Sequence, residues 1–176
     1  MKYKLFSLGF MLLTVSLPIM AVDGYKDVKF GSGINELKSA KLCSWKVDYD
    51  ENVKGMESYY CDNFKFSGKD SFAMAFFINK KFERFVITIP TSNLSSVLES
   101  IKKKYGDPTS TFTAEDAEEV KTIGGEINVK FDNDTVIVNL SRSTDTKEDS
   151  AYLIYNSPMY DDLYKKLQEK NIESDI

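Results

Sequence analysis

Residues 71–90 read SFAMAFFINKKFERFVITIP, and this stretch decides the fold class. Two runs rich in aromatic and β-branched residues, 71–78 and 82–89, have the composition of β-strands. The polar triplet Asn79-Lys80-Lys81 between them has the length of a turn, and Pro90 ends the second run. We therefore predict an antiparallel hairpin at the centre of the chain.

The clearest helical pattern follows this hairpin directly. Its apolar residues recur at helical spacing, at Leu94, Val97, Leu98, Ile101 and Tyr105. Lysines 102–104 fill the last turn, where the helix dipole favours positive charge, and Gly106 and Pro108 end the helix. A final amphipathic helix is expected to begin near Pro158, with a frayed tail from Asn171.

Short strands and one further helix complete the predicted fold. Strands are expected at 25–30, 126–131, 135–140 and 151–155, a short helix starts at Ile34, and a polar acidic link covers 109–119. The expected class is α+β: an antiparallel sheet with two to three helices on one face. A helix followed by strands occurs in both halves, from Ile34 and from Leu94. This order suits a duplicated helix-plus-strands unit, although the halves share a pattern and not identical residues.

Composition bounds the function. The chain has 176 residues, 42% of them hydrophobic and 28% charged, with a formal net charge of −4, so no basic surface favours nucleic acid. It contains no histidine, which excludes Ser-His-Asp and Cys-His catalysis and histidine metal sites. We expect no catalytic residues, no cofactor-binding residues, no cofactor and no metal.

The N-terminus has the pattern of a secretory signal peptide. Residues 1–21 place Lys2 and Lys4 before an apolar run and end in the small residue Ala21. An uncleaved anchor is the alternative, but polar residues and Pro18 interrupt a run that is short for a membrane span. We therefore expect residues 22–176 to form a single secreted α+β domain that is periplasmic or secreted, with no membrane span after cleavage.

The sequence contains two cysteines, Cys43 and Cys61. In an exported chain, both are expected to be joined in one disulfide. A redox role is the alternative, but the spacing is not Cys-x-x-Cys. The prediction is a structural disulfide.

Two short motifs resemble ligand-binding loops. Gly31-Ser32-Gly33 precedes a helix, but Glu36 stands where a dinucleotide-binding loop has its third glycine, so a turn is the better interpretation. Asp132-Asn133-Asp134 resembles the start of a calcium loop, but it continues into the strand pattern from Thr135 and lacks the later ligands. We interpret it as a hairpin turn.

Aromatic residues are abundant, at 13% of the chain. They suit a β-sheet core, and they also suit a recognition surface, where tyrosine contributes contact area at low entropic cost. The candidate binding surface comprises Tyr59, Tyr60, Tyr152, Tyr155 and Tyr160.

The order of elements resembles a known class of small periplasmic modules. The segment Val28-Lys29-Phe30-Gly31 leads into a short helix, a cysteine pair follows, and a later helix ends in Lys104-Tyr105-Gly106-Asp107-Pro108. In these features the chain resembles the beta-lactamase-inhibitor-protein-like and BamE-like modules, mainly over 28–40 and 94–108. The resemblance implies helices on an antiparallel sheet and a role in inhibition, assembly or binding. No functional residue carries over, and the chain lacks the lipoprotein cysteine of the BamE branch.

These observations predict an exported, non-catalytic binding protein of the bacterial envelope, acting as an inhibitor, immunity protein or accessory factor. Its partner is expected to be another envelope or secreted protein; the oligomeric state stays open. One alternative is a carbohydrate-active enzyme without histidine that uses paired carboxylates such as Glu83, Glu126 or Asp134. Another is a small-ligand carrier whose aromatic strands line a cavity.

Overall fold

The computed structural model describes residues 21–49 and 53–176. The predicted signal peptide lies outside the described residues except for Ala21. The strands are β1 Gly24–Tyr25, β2 Val28–Lys29, β3 Lys46–Asp48, β4 Met56–Phe66, β5 Lys69–Ile78, β6 Lys81–Ile89, β7 Gly125–Phe131, β8 Val136–Arg142 and β9 Asp149–Asn156. The helices are α1 Ile34–Ser39, α2 Leu94–Tyr105, α3 Ala114–Ile123 and α4 Tyr160–Asp175.

The predicted α+β class is confirmed, and its centre is the predicted hairpin. Strands β5 and β6 pair antiparallel, and the turn residues Asn79 and Lys80 have φ values of 52° and 62°. Consecutive residues with positive φ match the right-handed twist of a tight hairpin. The same logic applies to the β7–β8 turn, where Asp132, Asn133 and Asp134 all have positive φ.

Seven strands form one antiparallel sheet in the order β3-β4-β5-β6-β9-β8-β7. Each half of the chain contributes a helix followed by a meander, β4–β6 after α1 and β7–β9 after α2 and α3. The last strands of the two meanders, β6 and β9, pair at the centre, with Ile87 opposite Leu153. The topology therefore has the helix-plus-strands order that the sequence indicated in both halves.

One face of the sheet carries the core. Phe85 and Ile87 on β6 and Leu153 on β9 lie in the same buried cluster as Leu37 of α1 and Ile101 of α2. Alternation along a strand sends every second side chain to this face, so β6 and β9 contribute in register. We call this the core face.

The Cys43–Cys61 disulfide is confirmed. It links the segment after α1 to the middle of β4, and Cys61 is completely buried. Trp45 packs edge-on against Phe85, with ring centroids 5.9 Å apart. The disulfide thus fixes the α1–β3 connection onto the core face.

Three local predictions are wrong. The acidic link over 109–119 contains α3, because Thr113 and Asp116 form a reciprocal capping box that starts a helix. The strand over 25–30 is a two-stranded hairpin, since Lys26 takes φ 51° and reverses the chain. The C-terminal helix continues to Asp175 instead of fraying at Asn171, whose side chain donates to the Lys54 carbonyl at 3.0 Å.

Candidate functional site: an open face of the central sheet

The face opposite the core face carries a patch of apolar side chains. Six half-buried or exposed residues from four adjacent strands form it, and none of them belongs to the core cluster. They are Tyr60, Phe72, Met74, Val86, Tyr152 and Ile154, which we call the open face. An antiparallel sheet with one solvated face normally alternates apolar with polar residues. This patch departs from that pattern.

Strand register explains why the patch is continuous. Tyr60 lies opposite Met74, Met74 opposite Val86, and Val86 opposite Ile154, so these four form one row across the sheet. Side chains opposite one another on adjacent strands are close enough for direct contact. The row therefore behaves as a single apolar strip.

A second row runs beside the first and is more polar. Thr88 lies opposite Tyr152, and Tyr152 lies opposite Asn139. Phe72 is 40% exposed, and its ring stacks on Tyr60 with centroids 5.8 Å apart and planes at 22°. Large aromatic side chains at this exposure are the type of residue that anchors binding interfaces.

Polar groups border both ends of the patch. At one end, the Lys46 ammonium lies 5.6 Å from the Tyr60 ring centroid and 2.9 Å from the Asp62 carboxylate. At the other, the Asn139 amide donates to Asn128 at 2.9 Å and to Glu126 at 3.2 Å. An apolar centre with a polar border is the usual anatomy of a protein interface.

Helix α4 crosses one end of this face. Tyr160 stacks on the Arg84 guanidinium at 3.7 Å, and a Cβ placed on Gly55 would lie 2.9 Å from Leu167. Arg84 precedes Val86 by two residues on β6. Residues two apart on a strand point to the same face, so both side chains lie on the face opposite the core face. The helix therefore covers the row of Arg84 and leaves the open face beside it.

The five tyrosines proposed from the sequence divide among three places. Tyr60 and Tyr152 lie on the open face. Tyr59 is half-buried on the core face, where its ring packs edge-on against Phe77 at 5.4 Å. The prediction that Tyr155 and Tyr160 belong to a binding surface is wrong, since the two residues are only 7% and 4% exposed.

Strand alternation and helix packing give the physical reason for these corrections. Tyr155 alternates with Ile154 and so points into the core, where burial and the neighbouring Tyr105 raise its pKa. Tyr160 is covered by the Arg84 guanidinium, and burial raises its pKa as well. Both residues stabilise the fold.

Sequence reasoning missed four open-face residues, Phe72, Met74, Val86 and Ile154. It assigned them to strands without asking which face they occupy. The available signal was the nearly unbroken apolar run of β5, Phe72–Ile78, which indicates a strand whose two faces are both apolar. When helices cover only one face of such a sheet, apolar side chains remain at the surface of the other face.

The three proposed carboxylates lie in different settings, and Glu126 and Asp134 lie too far apart to form a glycosidase pair. Glu83 is buried at the start of β6 and accepts a hydrogen bond from the Ser157 hydroxyl. Asp134 lies in the β7–β8 turn, 3.5 Å from the Lys130 ammonium. Glu126 lies at the opposite end of β7. At about 3.3 Å per residue, Glu126 is roughly 16 Å from Phe131, the last residue of β7 before the turn that contains Asp134. Glycosidase carboxyl pairs are closer, at about 5 to 10 Å.

Two cavities lie away from the open face. One, with a volume of about 420 Å³, lies between α2 and the sheet, and Ser96, Ser100 and Tyr155 are among its lining residues. Another of about 400 Å³ lies beside β7, between that strand and α3. Among the described residues, no group of three or more cysteine and carboxylate side chains is placed to hold a metal ion. None of the helices within 21–49 and 53–176 has the length and apolar character needed to cross a membrane.

Comparison with known proteins identifies relatives of this chain. A family model described as "Uncharacterised protein" matches residues 25–175. An uncharacterized protein of Haemophilus influenzae is 34% identical over 169 residues, which cover 93% of this chain and 90% of the relative. An uncharacterized protein of Pasteurella multocida is 27% identical over 161 residues, covering 87% and 82%. No solved structure matches the chain. The chain belongs to the family of that model, together with the Haemophilus influenzae relative.

Proposed function

We propose that this protein is an exported, non-catalytic binding protein of the bacterial envelope that attaches to another protein through the open face. The observation that carries the proposal is the in-register apolar strip Tyr60-Met74-Val86-Ile154, flanked by the exposed Phe72. Contiguous apolar patches on a protein surface mark interaction sites. The role would be that of an inhibitor, immunity protein or accessory factor.

The shape of the open face favours a protein over a small ligand. Small molecules bind in concave pockets that enclose most of their surface. The open face is a row of side chains on a sheet, and the two cavities described above are lined by other residues. An apolar centre with a polar border fits a complementary protein surface.

The disulfide supports the proposed location. Disulfides persist in oxidising compartments and are rare in the cytosol, so a disulfide is compatible with the periplasm or the extracellular space. The predicted signal peptide at 1–21 points the same way. The likeness to beta-lactamase-inhibitor-protein-like and BamE-like modules stays a prediction; it agrees with a binding role and names no partner.

Site-specific photo-crosslinking in the native organism tests the proposal. A photoreactive phenylalanine analogue would replace Phe72 or Tyr152 on the open face, and Tyr49, which is 88% exposed outside it, in the control. We expect one discrete adduct from positions 72 and 152 and none from 49. Equal adducts at all three positions, or none at any, would overturn the proposal.

A matched set of variants separates binding from folding. Phe72→Ser combined with Tyr152→Ser should abolish the adduct formed from a probe at Met74 while the melting temperature changes little. Tyr49→Ser should leave the adduct intact. Loss of the adduct together with loss of the folded state would contradict a dedicated binding surface.

The cavity between α2 and the sheet favours a second candidate function, that of a small-ligand carrier. Its volume of about 420 Å³ is in the range of ligand pockets, and apolar Phe66, Val97 and Leu153 line it beside Ser100. Fluorescence of 1-anilinonaphthalene-8-sulfonate provides the test. A carrier would enhance the dye's fluorescence in the wild type and lose the effect in Ser100→Phe; no enhancement in the wild type would exclude this function.

A further inference from the structure

We propose that the outer edge of β7 at Glu126–Asn128, with the groove beside it, binds an extended basic peptide segment that joins the sheet as an additional strand. This site adjoins the polar end of the open face, where Glu126 and Asn128 accept hydrogen bonds from Asn139, but none of the six open-face residues lines it. The inference does not rest on the function proposed above. It follows from three features of one region: an unfinished sheet edge, a cavity along it, and the sign of the surrounding charge.

The edge is only partly paired. Strand β7 is the outermost strand on its side of the sheet. The Lys130 amide donates to the Ser110 carbonyl at 2.9 Å, and the Thr109 amide donates to the Lys130 carbonyl at 2.8 Å. Within residues 21–49 and 53–176, no backbone hydrogen bond continues this pairing beyond Lys130.

Strand geometry places the next free backbone groups. Outward-pointing N–H and C=O groups recur at every second residue of an antiparallel edge strand. Because Lys130 directs its groups outward, Asn128 and Glu126 do the same. An extended segment that added here would continue the pairing that Thr109 and Ser110 begin, and strand addition to a free edge is a common mode of peptide recognition.

The groove exists because the chain leaves the edge early. After Ser110 it departs from β7, enters α3 at Ala114 and returns through Gly124 to the first residue of β7. The groove between α3 and β7 has a volume of about 400 Å³, and Phe112, Val120 and Ile127 contribute apolar surface to it. One face of an added strand would lie against these side chains.

Close packing keeps the groove in place. A Cβ on Gly124, which has φ +96°, would lie 2.9 Å from the Thr144 backbone, so α3 ends tightly against the β8–β9 connection. A Cβ on Gly125 would lie 3.6 Å from Val120. The wall formed by α3 is therefore positioned by backbone contacts.

The charge around the groove selects the occupant. Asp116, Glu119 and Glu126 line it, and none of its lining residues is a lysine or an arginine. Asp116 accepts hydrogen bonds from the Thr113 amide and hydroxyl, which favour its charged form. An acidic segment, or the β7 edge of a second copy with its own Glu126, would meet like charge here; lysine or arginine side chains would meet opposite charge.

Binding of a defined peptide tests the proposal. The probe is a fluorescein-labelled heptapeptide of alternating lysine and valine, and the control peptide has proline in place of valine, which keeps the charge but cannot form a strand. The chain without its predicted signal peptide, residues 22–176, should increase the fluorescence anisotropy of the first peptide. Its affinity for the second peptide should be at least about tenfold lower, since the lost strand hydrogen bonds account for most of the binding.

A matched pair of variants at Asn128 isolates the edge. Both variants lose the hydrogen bond that the Asn128 side chain accepts from Asn139. Asn128→Pro also removes the outward N–H, without removing a hydrogen bond to β8, whereas Asn128→Ala keeps it. We expect Asn128→Ala to bind within about twofold of the wild type and Asn128→Pro to bind about tenfold more weakly. Equal binding by the two variants would overturn strand addition.

Two further measurements keep the test decisive if Asn128→Pro fails to fold. Amide hydrogen exchange of the wild type should show that the peptide slows exchange at Asn128; unchanged exchange would overturn the proposal. Glu119→Gln should weaken binding by about threefold, while Glu115→Gln, on the same helix but outside the groove lining, should not.

Three further results separate strand addition from charge attraction, from self-association and from binding at the open face. If the control peptide binds as well as the probe, charge alone acts and strand addition is wrong. If the wild type forms a dimer that Asn128→Pro abolishes and the probe does not bind, the occupant is a second copy and the proposal is overturned. Phe72→Ser should leave peptide binding unchanged, so failure here and failure of the open-face proposal are distinguishable.

Discussion

The guanidinium carbon of Arg84 lies 3.7 Å from the ring centroid of Tyr160, and this stack holds the first turn of α4 against strand β6. The Arg84 Nε also donates to the Asn156 side chain at 2.7 Å, which orients the guanidinium plane. Tyr164, one turn further along α4, stacks on Tyr160 with ring centroids 5.8 Å apart. The end of the open face is therefore set by one arginine and the ring that covers it.

Replacing Arg84 should loosen α4. We expect Arg84→Ala to lower the free energy of unfolding by about 2 kcal/mol, from the lost cation–π contact and a charged hydrogen bond. Urea denaturation followed by circular dichroism measures this change. Lys65→Ala is the control, because Lys65 forms an exposed ion pair with Asp70 that should contribute nothing measurable. Equal effects would contradict the anchoring role of Arg84.

Truncating a phenylalanine should lower the free energy of unfolding much more on the core face than on the open face. Phe85→Ala on the core face should cost about 3 to 5 kcal/mol, since Phe85 is completely buried. Phe72→Ala on the open face should cost less than about 1 kcal/mol, because the side chain is already 40% exposed in the folded state. Denaturant midpoints of both variants test this contrast. A large loss for Phe72→Ala would show that the second face is also packed.

Opening the disulfide should destabilise the domain. The bonded cysteines are 18 residues apart, and a loop of this size contributes about 3 kcal/mol in the chain-entropy model. We expect dithiothreitol to lower the urea midpoint of the wild type by a corresponding amount. Cys43→Ala combined with Cys61→Ala should have the lower midpoint with or without dithiothreitol. A wild type insensitive to reduction would contradict the prediction.

Stability should fall at alkaline pH. Burial, with a smaller effect of Tyr105, raises the pKa of Tyr25 to about 12 from an ordinary value of 10.0. Burial also raises the pKa of Tyr155. Because the unfolded chain loses these protons first, the stabilisation is complete below about pH 10 and is lost as the pH rises through 12. Tyrosinate absorbance and circular dichroism measured together should show it, and Tyr25→Phe should reduce the loss. Unfolding complete below pH 10 would contradict this.

Two glycines provide a matched test of backbone packing. Both Gly68 and Gly124 have positive φ, but a Cβ on Gly68 meets nothing within 4 Å, while one on Gly124 lies 2.9 Å from the Thr144 Cα. Gly68→Ala should cost about 1 kcal/mol from conformational strain alone. Gly124→Ala should cost about 3 kcal/mol, because a backbone contact must also move. Thermal unfolding of both variants measures the difference, and equal melting temperatures would contradict the close approach at Gly124.

Much of the fold could be predicted because its signals are local. The β5–β6 hairpin follows from two strand-forming runs and a polar turn, and α2 follows from apolar residues at helical spacing. Helix α3 was missed although its signal was present: Thr113 followed three residues later by Asp116 is a capping pattern. Acidic composition outweighed that pattern in the prediction of a link over 109–119.

The candidate site could be predicted only in part. Tyrosine content indicated a recognition surface, and two of the five proposed residues, Tyr60 and Tyr152, lie on the open face. Tyr155 failed because composition does not say which side of a strand faces the core. The edge groove at β7 was not visible at all, since it depends on where the chain after Ser110 leaves the sheet.

What the sequence alone determined is the β5–β6 hairpin, α2, α4, the strands β7–β9 and the disulfide, because strand runs, helix periodicity and turn residues are local properties and the chain has a single cysteine pair. What only the tertiary structure decided is which alternate residues of each strand became surface. In β9, Leu153 and Tyr155 alternate with Tyr152 and Ile154, and both sets are apolar enough for a core. The packing of α1 and α2 on one face of the sheet buries Leu153 and Tyr155 there and leaves Tyr152 and Ile154 on the other face.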